Sequence, residues 1–93
     1  MTIRHDEEAQ RFVVETGHGH AVVEYQRDGD AVDFTHTFVP PEERGQGIAE
    51  ALVGRALDWA AAEHLTVQAS CWYVARVHQL RQGRAQRRNP ATE

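Results

Sequence analysis

Two prolines at 40 and 41, followed closely by Gly45 and Gly47, stand between two incompatible periodicities. Upstream, Ala31 to Val39 alternates, with Val32, Phe34, His36 and Phe38 on one face and Asp33, Thr35 and Thr37 on the other, the pattern of a strand. Downstream, Ile48, Leu52, Val53, Ala56, Leu57 and Ala60 recur at three- and four-residue spacing, which predicts a helix from Gly47 to about Glu63. Proline cannot continue a hydrogen-bonded ladder, and glycine opens backbone angles closed to other residues. The chain must therefore leave a strand, turn through the glycines and enter a helix packed on a sheet.

The rest of the chain extends this unit on both sides. Arg11 to Thr16 and His20 to Gln26 are β-rich runs separated by Gly17-His18-Gly19, a hairpin signal, and Arg27-Asp28-Gly29-Asp30 marks the next turn. Ala31 to Val39 is then the third strand of an antiparallel meander. Leu65 to Ser70 is strand-like again, so strand, helix and strand form a βαβ unit, with a right-handed crossover and the last strand parallel to the third. A short helix from Tyr73 to Arg81 places Val74, Val77 and Leu80 inward. Residues 82–93 show no apolar period and are expected to be a disordered basic tail behind a single domain spanning residues 1–81.

Composition limits what such a domain can do. Of its 93 residues, 41% are hydrophobic and 26% charged, which suits one soluble globule whose core is small. The single cysteine allows no internal disulfide, and no apolar run precedes Arg4-His5-Asp6-Glu7-Glu8. A cytoplasmic protein without a membrane segment is expected. Residues 1–43 carry ten acidic and three basic side chains, whereas residues 44–93 carry four and seven. An acidic front and a basic back disfavour general nucleic-acid binding, and suit a cationic substrate on one side with an anionic cofactor on the other.

The loop Arg44-Gly45-Gln46-Gly47-Ile48-Ala49 has the chemistry of a phosphate cradle. Backbone N–H groups at a helix start lack intrahelical partners and lie at the positive end of the dipole. The dipole alone contributes about 0.3–1 kcal/mol, while each hydrogen bond to a charged group is worth roughly 1.5–3 kcal/mol, so converging amides must dominate. Arg44 adds a guanidinium fork. A nucleotide-triphosphate loop needs a lysine, and the chain contains none. A dinucleotide fingerprint needs a small residue where Glu50 stands, and a longer chain.

Arg44, Gly47 and Ala49 fit the pattern Q/R-x-x-G-x-G/A, and the chain resembles the GCN5-related N-acetyltransferases (GNAT superfamily), in which this loop receives the pyrophosphate of acetyl-coenzyme A. Thr35-His36-Thr37-Phe38-Val39-Pro40-Pro41 and Ser70-Cys71-Trp72-Tyr73-Val74 extend the likeness to the small stand-alone YjdJ-type members, over roughly residues 20 to 80. The resemblance implies a reduced GNAT-like α/β (α+β) fold, since the helices that usually follow the first GNAT strand have no sequence to occupy. It also implies that the third and last strands splay beside the loop, with the pantetheine arm between them against Phe38 and Val39.

That placement makes Cys71 a candidate acid for the leaving thiolate or a nucleophile, the alternative being a buried structural cysteine. Tyr73 stands near where the family places a tyrosine that protonates sulfur, with a core-capping role as its alternative. His36 can serve as general base or as a hydrogen-bonded core histidine. Trp59 and Trp72 are expected to pack, while Glu42 and Glu43 can attract an amine or simply face the helix dipole. His18, His20 and His36 lack a carboxylate or cysteine at ligand spacing, so no metal is expected. The leading expectation is acetyl transfer to a small-molecule or peptide amine by a monomer or weak homodimer. A coenzyme A-binding sensor or interaction module without turnover is the alternative.

Overall fold

A computed structural model describes residues 1–87. Its strands are β1 (Arg4–Asp6), β2 (Arg11–Thr16), β3 (Gly19–Asp28), β4 (Ala31–Phe38) and β5 (Thr66–Ala69), and its helices are α1 (Ile48–Ala62) and α2 (Trp72–Arg87). The strands form one sheet in sequence order, antiparallel from β1 to β4 and parallel between β4 and β5. The meander and βαβ unit are thus as expected, and the mixed α/β architecture is that of a reduced GNAT-like fold.

One face of the sheet holds the core. Phe12, Val14, Ala21, Val23, Tyr25, Val32 and Phe34 project from it onto Ile48, Leu52, Val53, Ala56, Leu57 and Ala60 of α1 and Val74 of α2. Leu52, Phe12 and Phe34 are fully buried, each contributing about 1.5–3 kcal/mol of transfer free energy. Both helices lie on this side, with Arg81 of α2 reaching the Gly54 carbonyl and Asp58 of α1. Val74 is buried as expected, but Leu80 is 47% exposed. Helix α2 also runs beyond the expected Arg81 to Arg87; the rest of the expected tail lies outside the described residues.

Strand β1 has no counterpart in the sequence reading, because Arg4-His5-Asp6 carries no β-like apolar pattern. Its anchor is His5. The imidazole stacks on Phe12 at 4.0 Å between centroids, meets Trp59 edge-on at 4.9 Å and shares a 2.7 Å hydrogen bond with the Tyr25 hydroxyl. Trp59 packs into this aromatic group, as expected of it.

The alternation read along Ala31–Val39 breaks at Thr35. Tyr25 pairs with Phe34 while the neighbouring Glu24 pairs with His36, so β4 carries an extra residue, a β-bulge. The bulge reverses the facing of everything after it. His36 pairs with outward-facing Glu24 and is exposed, whereas Thr37 pairs with the core residue Val23. The expectation that His36 lies on the apolar face with Val32 and Phe34 is therefore corrected. The register slips one residue before it.

Candidate functional site

A bulged strand bends and twists more strongly than a regular one, and β4 leaves its parallel neighbour just past the bulge. Strand pairing between β4 and β5 ends at Phe34 and Ala69, and one further hydrogen bond joins the Cys71 N–H to the Phe34 carbonyl at 3.0 Å. Beyond it, Thr37, Phe38 and Val39 stand on one side of a gap and Cys71, Trp72 and Tyr73 on the other. A cleft of about 470 Å³ occupies this gap and reaches the loop, where Arg44, Gly45, Gly47, Ile48, Ala49 and Glu50 line it.

The loop has the backbone of a cradle. Gly45 and Gly47 both take φ +83°, a left-handed conformation costly for residues with a Cβ, and no atom crowds the place where a Cβ would stand. Gly47 is the N-cap of α1 and provides no side-chain hydrogen bond, so the first amides of a 15-residue helix lack that partner. Arg44 is fixed beside them: its Nε donates to the Val39 carbonyl at 2.9 Å, and its guanidinium lies 5.9 Å from the centre of the Phe38 ring. Of the loop residues expected to bind a cofactor, only Gln46 does not line the cleft.

Cys71 precedes α2 as its N-terminal cap residue; its carbonyl accepts the Ala75 N–H at 3.0 Å. Its sulfur lies 3.6 Å from the Thr37 hydroxyl. Burial opposes ionisation of the thiol, yet hydrogen bonds from the Val74 N–H, the Thr37 hydroxyl and the Tyr73 N–H together hold it below the ordinary thiol value. Tyr73 behaves oppositely. Burial first, and then the charge of Glu50, push its phenol up, so it keeps its proton at neutral pH. The cleft thus brings together an acidified thiol and a retained phenolic donor.

His36 does not line the cleft; the bulge puts it on the sheet's other face. Trp72 was expected to pack but is 75% exposed, touching Tyr73 edge-on at the cleft rim. Glu43 is already engaged. One carboxylate oxygen accepts the His18 N–H at 3.1 Å and faces the His18 Nδ1 at 3.3 Å. The Thr16 hydroxyl and both groups of His18 hold the Glu43 carboxyl below its usual range. Glu43 therefore clasps the β2–β3 hairpin to the loop, a contact between residues 25 apart that no local pattern announces.

With this geometry in place, likeness to known proteins becomes informative. A family model described as GCN5-related N-acetyl-transferase matches residues 11–85. The chain belongs to the GCN5-related N-acetyltransferase family. Protein NATD1 from Gallus gallus is 38% identical over 77 residues, covering 80% of this chain and 70% of that protein. Protein NATD1 from Homo sapiens is 38% identical over the same length, covering 80% and 68%, and that from Danio rerio 34% identical, covering 80% and 70%. The GNAT match spans the sheet from β2 onward, the cradle and nearly all of α2. GNAT proteins generally use acetyl-coenzyme A as co-substrate, and no helix among the described residues is long and apolar enough to cross a membrane.

Proposed function

We propose that the cleft binds acetyl-coenzyme A and that the chain transfers its acetyl group to an amine. The observation that carries this reading is the continuity of one cleft from the uncapped, glycine-lined start of α1 to the acidified Cys71 thiol. An anion site and a reactive side chain share one enclosure. The residues fit the cofactor in kind: amides of the 45–49 segment and Arg44 suit the pyrophosphate, and Phe38 and Val39 give the pantetheine arm a wall. When bound, the cofactor supplies a thioester, whose acyl carbon bonds the amine nitrogen as the C–S bond breaks and the thiol departs with a proton.

The chain's own groups divide the remaining work. Tyr73, protonated at neutral pH, is suited to donate to a sulfur leaving group. Cys71 is the alternative donor, or a nucleophile that carries the acyl group between coenzyme A and amine. The test is calorimetry with coenzyme A, followed by thiol release from acetyl-coenzyme A in the presence of amines and peptides. Binding with amine-dependent release supports the assignment. Binding without release supports a coenzyme A-binding module, and absence of binding refutes the cradle.

A further inference from the structure

In the parallel seam the Thr66 N–H donates to the Asp30 carbonyl at 2.7 Å, and from there alternate residues of β5 turn their backbone groups toward β4. Regular continuation would give the Phe34 carbonyl to the Ser70 N–H. The Cys71 N–H occupies it instead, at 3.0 Å. The displaced Ser70 N–H donates to Asp33 Oδ1 at 2.8 Å, and the Ser70 hydroxyl donates to Asp33 Oδ2 at 2.8 Å. One half-buried carboxylate of β4 thus takes both donors of the residue that precedes the thiol.

We propose that Asp33 is a positioning residue for the cleft: by holding Ser70 it sets Cys71 one residue out of the regular seam, with the sulfur against Thr37 and the start of α2. Its part in acetyl transfer rests on the reading above, whereas its hold on the thiol rests on the hydrogen bonds alone. Backbone donors at a strand end need partners, and bonds to a carboxylate are among the stronger ones. Without Asp33 the Ser70 N–H is released to compete for the Phe34 carbonyl, and Cys71 loses its place. The donors that hold the sulfur, the Thr37 hydroxyl and the N–H groups of Tyr73 and Val74, come from two different elements. They converge only while Cys71 stays where β4 and α2 meet. Asp33 itself pairs with exposed Gln26 and does not line the cleft, so it acts on the thiol through Ser70.

The experiment compares Asp33→Ala with Asp33→Asn in the full chain, following Cys71 alkylation by iodoacetamide against pH. Both variants lose the charge, but asparagine keeps a carbonyl acceptor for the Ser70 N–H and an amide that donates to the Ser70 hydroxyl oxygen. Loss of a negative charge by itself favours the thiolate and moves the midpoint downward in both. Loss of position moves it upward, and only in Asp33→Ala. Arg44, Glu50 and Tyr73, the other titratable or charged groups along this stretch of the cleft, are the same in every variant. Asp33→Ala should also transfer amide-exchange protection from Cys71 to Ser70, and lower turnover of acetyl-coenzyme A about tenfold with coenzyme A affinity unchanged. Should Asp33→Ala not fold, Ser70→Ala decides: it keeps the charge and removes one of the two bonds at an exposed position, so its midpoint should rise. Equal midpoints in the two Asp33 variants, an unmoved midpoint in Ser70→Ala, or a fall in coenzyme A affinity that matches the fall in turnover would each overturn the proposal. If the midpoints move as expected but no form releases thiol from acetyl-coenzyme A, the positioning stands and the acetyl-transfer reading falls.

Discussion

The Thr37 hydroxyl faces the Cys71 sulfur at 3.6 Å across the gap between β4 and β5, and only the bulge at Thr35 turns Thr37 toward it. Thiol reactivity is therefore coupled to a register slip two residues away. Alkylation by iodoacetamide, followed against pH, should show a Cys71 midpoint below the ordinary thiol value near 9.0. Thr37→Val should move the midpoint upward. Cys71→Ser should reduce turnover while coenzyme A affinity stays constant, and an unchanged rate would return Cys71 to a structural role.

Gly47 combines φ +83° with the N-cap position of α1. A Cβ there meets no atom within 4 Å, so for Gly47→Ala the expected damage comes from backbone strain of about 1–2 kcal/mol. If the helix start keeps its geometry, the melting temperature falls by roughly 4–16 °C. If it relaxes, the amides no longer converge. Coenzyme A affinity should drop at least tenfold either way, and calorimetry beside a thermal melt measures both.

Glu43→Ala removes the acceptor that holds His18 and frees the hairpin from the loop. Coenzyme A affinity should fall several-fold without loss of the core. Glu43→Gln keeps a carbonyl acceptor for the His18 N–H and should recover most of that affinity. Equal effects of the two variants would show that charge, and not the clasp, is what the loop needs.

Burial lowers the pKa of His5 from 6.5, with Arg55 acting in the same direction and Glu7 and Asp6 against it. The unfolded chain therefore takes up a proton more readily than the folded one. Below about pH 6.5 this difference erodes stability, and above it the contribution is constant. Urea unfolding at a series of pH values should show that slope. His5→Phe should flatten it while sacrificing the hydrogen bond to Tyr25.

The parts legible in the sequence are those written in local periodicity. Val32 and Phe34 fixed the inner face of β4, the spacing from Ile48 to Ala60 fixed α1, and Pro40-Pro41 with Gly45 and Gly47 located the loop. Facing was lost where periodicity is interrupted: nothing in Phe34-Thr35-His36 marks an extra residue, since a bulge is defined by its partner strand. Strand β1 escaped for a related reason. His5 is polar by composition and becomes a core residue only when Phe12, Tyr25 and Trp59 are assembled around it. The clasp from Glu43 to His18 depends on tertiary closure and leaves no spacing to read.

The Cys71–Phe34 hydrogen bond acts as an end stop for the seam between the parallel strands. Everything past it is open because Thr35 interrupts β4 at that step. One deletion at Thr35 would restore regular pairing, leave His36 facing outward opposite Glu24 and let the seam zip onward. A single residue of chain length thus separates a sheet with a slot from a sheet without one.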